Sequence, residues 1–248
     1  MVPAAEPGAG RGDEKSLVVS LKNVYETLAI SVPTVFDALR GRVTKEVSDA
    51  RLQRWGHNIV QNVGFDLEVV GRENMQPGET YLVMSNHQSH YDIPVLFEVI
   101  GSNIRMITKE ELFRVPIFGK ALRAGGFISI DRGNRHAAIR SLQSARDLLA
   151  SGTHVWIAPE GTRSRTGEML PFKKGAFYLA LEARLPILPV TLRGTREALP
   201  PDALRSHPGV HVRVTIHPKI DAAPYAARGK PGRDELMTEV RRVLESAL

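Results

Sequence analysis

The chain contains no cysteine. That excludes disulfides, thiolate zinc sites and a thiol nucleophile. Aromatic residues are scarce, at 6% with only two tryptophans, which leaves little material for stacking nucleic-acid bases. No stretch reaches the run of about 18 apolar residues that a spanning helix needs. Residues 1–16 are rich in proline, glycine and alanine and lack the basic-then-apolar pattern of a secretory signal. They are expected to form a disordered tail.

What is present suits a globular protein. The 248 residues are 42% apolar and carry a formal charge of +6, enough for one substantial domain with an appended element. The charge is uneven. Between Arg105 and Arg146 there are nine Lys/Arg against three acids, a field that favours anionic partners such as phosphates or an acidic membrane surface. The three phenylalanines in that window, Phe113, Phe118 and Phe127, stand in apolar contexts rather than among the basic residues, so no nucleic-acid partner is expected.

Periodicity divides the chain. Val18, Leu21, Tyr25, Leu28, Val32, Val35 and Leu39 recur at helical steps, with Pro33 expected to kink or split the helix. A second helical stripe runs from Val43 to Val63 and includes Trp55. Residues 17–63 therefore read as an amphipathic two-helix element, either packed on the core or lying in a membrane interface. From Gly64 the pattern shortens to apolar runs at 66–70, 81–85, 104–108, 126–130, 154–158, 187–192 and 210–217, with helical patterns between most of them. Asn134 is a candidate helix cap, and a helix is expected near 173–183. The fold class is α/β, with a mixed, largely parallel sheet flanked by helices over 64–248.

Four clusters could carry chemistry. Asn86-His87-Gln88-Ser89-His90-Tyr91-Asp92 follows an apolar run and sets an imidazole five residues before a carboxylate. Mid-helix, that spacing would turn the pair about 140° apart, so His87 belongs on a loop and Asp92 in the first turn of the next helix. Asp92 can then accept from Nδ1 and leave Nε2 as a general base. A loop-and-cap pair is the plain alternative, and His87, His90 and Asp92 also offer three possible metal ligands, although in no familiar zinc spacing. The second cluster runs from Lys109 to Arg132. The third, Pro159-Glu160-Gly161-Thr162-Arg163-Ser164, can form an anion-binding turn with Arg163 as a phosphate fork. The fourth, Leu185 to Val190, reads as an apolar turn shaping a pocket wall.

In order and spacing these clusters resemble the glycerophospholipid acyltransferase family, marked by N-H-x-x-x-x-D, a K…G…R block, F-P-E-G-T-R-S and an apolar x-P-I-x-P-V block. Here they stand at Asn86 to Asp92, Lys109 to Arg132, Pro159 to Ser164 and Pro186 to Val190, with Ala158 where the family usually has an aromatic residue. The resemblance implies an O-acyltransferase in which His87, held by Asp92, deprotonates an acceptor hydroxyl that attacks an acyl thioester. It implies acceptor binding by Lys109, Arg132, Glu160, Gly161, Thr162 and Arg163, with no metal and no cofactor beyond acyl-CoA or acyl carrier protein as co-substrate. Lysophosphatidic acid is the expected acceptor; glycerol 3-phosphate, another lysolipid or an amino-acid lipid are alternatives, and a non-enzymatic lipid-binding protein is a further one. It also implies an anionic membrane surface as partner, with residues 17–63 as a peripheral or monotopic anchor on the cytoplasmic face.

Overall fold

The computed structural model describes residues 9–131 and 135–248. Two helices open the chain, α1 (Ala9–Leu39) and α2 (Lys45–Val63). Strands and helices then alternate as β1 (Asp66–Val70), β2 (Leu82–Ser85), α3 (Asp92–Ile100), β3 (Ile104–Lys109), α4 (Phe118–Ala124), β4 (Ile128–Ile130), α5 (Arg135–Ala150) and β5 (His154–Ile157). The order continues with α6 (Lys174–Ala183), β6 (Ile187–Arg193), α7 (Thr195–Ala198), β7 (His211–Ile216), α8 (Ala223–Ala226) and α9 (Gly229–Glu245). Each of the seven apolar runs noted in the sequence carries a strand.

The strands form one sheet in the order β1-β7-β6-β2-β5-β3-β4, parallel throughout except for the antiparallel pair β6–β7. Side chains alternate between its faces. Val83, Trp156, Leu188 and Val190 pack on one side with Leu52 and Val60 of α2 and Val95 to Phe97 of α3. Leu82, Met84, Val155 and Ile157 pack on the other with α5, α6 and α9 through Leu149, Phe177 and Leu236. Two closed faces explain why the central strands are apolar runs rather than alternating ones. On the first face, α2 and α3 approach so closely that a Cβ on Gly56 would lie 2.7 Å from Cβ of Phe97.

Three expectations change. Helix α1 begins at Ala9, inside the stretch 1–16 read as a disordered tail, and residues 1–8 lie outside the described residues; no proline occurs between Pro7 and Pro33 to stop a helix there. Of the two outcomes expected at Pro33, the split is excluded, since the helix runs through it. The block 185–190 is not a pocket wall, because Ile187–Arg193 is a central strand with Ile187, Leu188 and Val190 wholly buried. The expected cap Asn134 lies outside the described residues.

Helix α1 is amphipathic in an inverted sense. Its inner face is polar and is satisfied by hydrogen bonds: Asn23 to the Tyr91 hydroxyl at 2.8 Å, Trp55 Nε1 to Thr27 at 3.1 Å, and Arg51 to Thr34 at 3.0 Å with an ion pair to Asp37. Its apolar stripe faces outward, with Leu21 60%, Tyr25 69% and Leu39 80% exposed. The stripe therefore does not pack on the domain core. Exposed apolar surface of this extent marks an interaction face. Among the described residues no helix is long and apolar enough to cross a membrane.

Candidate active site

The site lies at the carboxyl ends of β2, β3 and β5, where open α/β sheets place their ligands. Strand β2 ends at Ser85, and the loop 86–91 carries His87 before Asp92 opens α3. His87 is thus on the loop and Asp92 in the first helical turn, as the five-residue spacing requires. His87 Nδ1 lies 2.7 Å from Asp92 Oδ2. The same oxygen accepts the backbone N–H of Gln88 at 2.7 Å and of Ser89 at 2.9 Å. A carboxylate surrounded by donors acts only as an acceptor, so the imidazole proton sits on Nδ1 and Nε2 is left as the base. Asp92 is fully buried, while His87 keeps 16% of its side chain exposed.

His87 is also fixed from the other side. Its backbone N–H donates to Glu160 Oε1 at 2.9 Å, and its carbonyl accepts the N–H of Ser164 at 2.8 Å. The second carboxylate oxygen of Glu160 accepts the N–H of Leu170 at 2.8 Å. Glu160 is 1% exposed; burial pushes its pKa above the ordinary carboxylate value, and the two backbone donors oppose that rise. Gly161 takes a left-handed conformation, φ 74°, in the same turn. The imidazole meets the Trp156 ring edge-on, with centroids 5.3 Å apart, and Trp156 Nε1 donates to Ser85 Oγ at 2.9 Å.

A cleft of about 800 Å³ opens over His87, lined by His90, Lys109, Trp156, Gly161, Thr162, Arg163 and Lys173 among others. Lys109, Gly161, Thr162 and Arg163 therefore meet His87 in one cleft, as the sequence suggested. Arg163 Nη1 donates to the carbonyl of Pro201 at 2.8 Å, which braces the guanidinium, and burial lowers its pKa from the usual arginine value. Glu160 does not line the cleft; it staples the turn to the His87 loop. Arg132 lies outside the described residues. His90 lies on the cleft lining with its side chain exposed, and its pKa is lowered to about 4, chiefly by desolvation and then by the positive field of Arg163. Among the described residues no group of three His, Asp or Glu side chains is placed to hold a metal ion.

Sharing Ile93, Thr108 and Leu112 with the cleft is a narrow apolar cavity of about 110 Å³. It lies between α1, α2, α3 and α4 and is lined by Leu52, Trp55, Phe97, Ala121 and Phe127. A site with a basic rim, a positioned base and an adjoining apolar cavity suits a substrate that is anionic at one end and aliphatic at the other.

Two contacts escaped the sequence reading. The Asn86 side chain pairs with the backbone of β6, donating to the Leu192 carbonyl and accepting its N–H, each at 2.8 Å. Thr195 donates to Asp92 Oδ1 at 2.5 Å. A residue 103 positions away carries no local signal; only the β2–β6 pairing brings it there.

The fold brings a histidine–aspartate pair and basic side chains into one cleft at the carboxyl ends of the strands, and comparison with known proteins identifies the family. The family model for Acyltransferase matches residues 66–193, and the chain belongs to that family. It is 38% identical over 156 residues to the 1-acyl-sn-glycerol-3-phosphate acyltransferase alpha of Ovis aries and, separately, of Homo sapiens, covering 62% of this chain and 54% of each relative. To the 1-acyl-sn-glycerol-3-phosphate acyltransferase of Saccharomyces cerevisiae it is 32% identical over 190 residues, 73% of this chain and 62% of that protein. The chain thus spans about half the length of the mammalian relatives. A solved structure, the 1-acyl-sn-glycerophosphate (LPA) acyltransferase PlsC from Thermotoga maritima, aligns with TM-score 0.77 at 26% identity over 94% of both chains.

Proposed function

We propose that the protein transfers a fatty acyl group from an acyl thioester, acyl-CoA or acyl carrier protein, to the free hydroxyl of lysophosphatidic acid, giving phosphatidic acid. One observation carries this reading: the His87–Asp92 pair sits in a cleft that has Lys109 and Arg163 on its rim and an apolar cavity adjoining it. The names of the relatives support the same acceptor. The acceptor phosphate would lie against Arg163 and Lys109, with Thr162 and Gly161 shaping the turn beside it. The aliphatic chain of the thioester would enter the apolar cavity.

The chemistry balances without a covalent enzyme intermediate. His87 Nε2 takes the proton of the acceptor hydroxyl as its oxygen bonds to the thioester carbon. The imidazolium formed is stabilised by the adjoining Asp92 carboxylate. Collapse of the tetrahedral intermediate breaks the C–S bond, and the imidazolium returns its proton to the leaving thiolate. The outward apolar face of α1, together with exposed Leu112, Val115 and Ile117, would seat the cleft at a membrane surface where both lipids reside.

The decisive test combines purified protein, acyl-CoA and lysophosphatidic acid, following free thiol and phosphatidic acid together. Equal release of both is expected, and none from His87→Ala. Thiol release without lipid product would identify a thioesterase and defeat the assignment.

A further inference from the structure

The exit of β6 grips both halves of the His87–Asp92 pair. Asn86, the residue before His87, is clamped to Leu192 through two 2.8 Å hydrogen bonds. Two residues on, Gly194 turns the chain with φ 98°, and a Cβ there would fall 2.1 Å from the carbonyl oxygen of His211. No other residue fits that close approach in a left-handed conformation. The turn delivers Thr195, fully buried, against the equally buried Asp92.

The division of labour on the carboxylate is specific. Oδ2 receives His87 Nδ1 and the N–H groups of Gln88 and Ser89, and Oδ1 receives the Thr195 hydroxyl at 2.5 Å. Rotation about the Cβ–Cγ bond of an aspartate is broad and nearly two-fold, so contacts on one oxygen leave the carboxylate plane loosely set. A donor on the opposite oxygen sets it.

We propose that Thr195 is a positioning residue for acyl transfer: through Asp92 Oδ1 it fixes the carboxylate plane that orients the His87 imidazole. A threonine hydroxyl does this without adding charge, so it does not compete with Asp92 for the proton formed on His87. This assignment rests on the acyltransferase reading for its kinetic consequence, but its structural consequence does not.

The test uses Thr195→Val, which keeps shape and removes the donor, and Thr195→Ser, which restores it. In the acyl-transfer assay the valine variant is expected to lose about ten- to a hundredfold in kcat, with KM for lysophosphatidic acid within about twofold of the unsubstituted chain. The serine variant should recover to within about threefold. A second readout is independent of turnover: the Nδ1 proton resonance of His87 in histidine-labelled protein, assigned by its loss in His87→Ala. It should shift or broaden in Thr195→Val and keep its place in Thr195→Ser. If the valine variant does not fold, Thr195→Ala takes its place with the same expectations. A resonance unmoved by removal of the hydroxyl, or a serine variant as slow as the valine one, overturns the proposal. An unsubstituted chain inactive in the assay would instead overturn the acyltransferase reading, and the resonance would still decide the role of Thr195.

Discussion

The Glu160 side chain holds His87 by its backbone rather than by its imidazole: the buried carboxylate accepts the N–H of His87 at 2.9 Å while its second oxygen accepts that of Leu170 at 2.8 Å. The acidic residue of the third motif is thus a staple between two active-site loops.

Glu160→Gln tests that role. A glutamine accepts through one oxygen, so its amide must point at one of the two backbone N–H donors. The mismatch is buried, and a lost hydrogen bond to a charged group costs about 1.5–3 kcal/mol. Urea unfolding should show a loss of that size together with a large fall in acyl transfer. Unchanged stability would mean that the two loops hold together without the carboxylate.

Helix α1 makes a prediction about membranes. Leu21 and Leu28 are exposed and belong to the outward apolar stripe. Replacing both by serine removes about 1.5 kcal/mol or more of apolar burial per leucine from lipid contact, or about tenfold in binding for each. Flotation with vesicles containing anionic lipid should show that loss, and the unfolding free energy should stay within about 0.5 kcal/mol of the parent. Full flotation by the double variant would remove α1 as the anchor.

How much of this was legible in the sequence follows from physical range. The strands β2, β3, β5 and β6 could be read from short apolar runs because they are buried on both faces, and β7 from its alternation of exposed and buried residues. The loop position of His87 and the helical start at Asp92 followed from their spacing alone. Strand order did not: nothing local says that β1 pairs with β7 at the far edge or that β7 runs antiparallel to β6. The apolar stripe of α1 was visible but its direction was not, because its inner side is satisfied by partners as distant as Tyr91 and Ser206. The block 185–190 looked like a pocket wall because its prolines suggested a turn, whereas β6 carries Pro189 within a central strand. Thr195 and the pairing of Asn86 became visible only when β6 lay beside β2.

The narrow cavity predicts chain-length selectivity. Ala121 lines it from α4, and Ala121→Leu would fill space that an aliphatic chain needs. Discrimination by one methylene in an apolar pocket is worth about 1–3 kcal/mol. With acyl-CoA donors of increasing length, the variant should lose about tenfold or more in kcat/KM for the longest chain accepted and little for the shortest. A uniform change across the series would place the acyl chain elsewhere.

Histidine burial predicts acid sensitivity. His154 Nδ1 accepts the N–H of Tyr81 at 3.1 Å, and burial, with a smaller contribution from Lys45, lowers its pKa below 6.5. His217 is lowered in the same direction by burial. Below 6.5 the unfolded chain takes up protons that the folded chain refuses, so unfolding gains and stability falls as the pH drops through that window. Urea midpoints should therefore decline between about pH 7 and about pH 5. His154→Asn retains an acceptor for Tyr81 and removes the titration, so its decline should be shallower. Equal slopes in the two proteins would assign the acid sensitivity to other groups.

Asp92→Asn isolates the carboxylate from its shape. Asp92 faces four donors: His87 Nδ1, two backbone N–H groups and the Thr195 hydroxyl. An asparagine offers one acceptor oxygen, and its amide must confront a donor whichever way it is turned. If the oxygen faces His87, Thr195 meets an N–H₂ group and must rotate its hydroxyl away. If the amide faces His87, Nδ1 becomes the acceptor, the proton moves to Nε2, and the base is lost. Neither orientation stabilises the imidazolium formed during transfer. The comparable substitution in a Ser-His-Asp triad lowers kcat by about ten-thousandfold through the wrong tautomer, and a loss of about a thousandfold or more is expected here for the same reason. KM for lysophosphatidic acid should change little, because the proposed phosphate contacts, Arg163 and Lys109, are untouched. A variant turning over within about tenfold of the parent would show that His87 works without a fixed tautomer, and the mechanism built on Nε2 would fall with it.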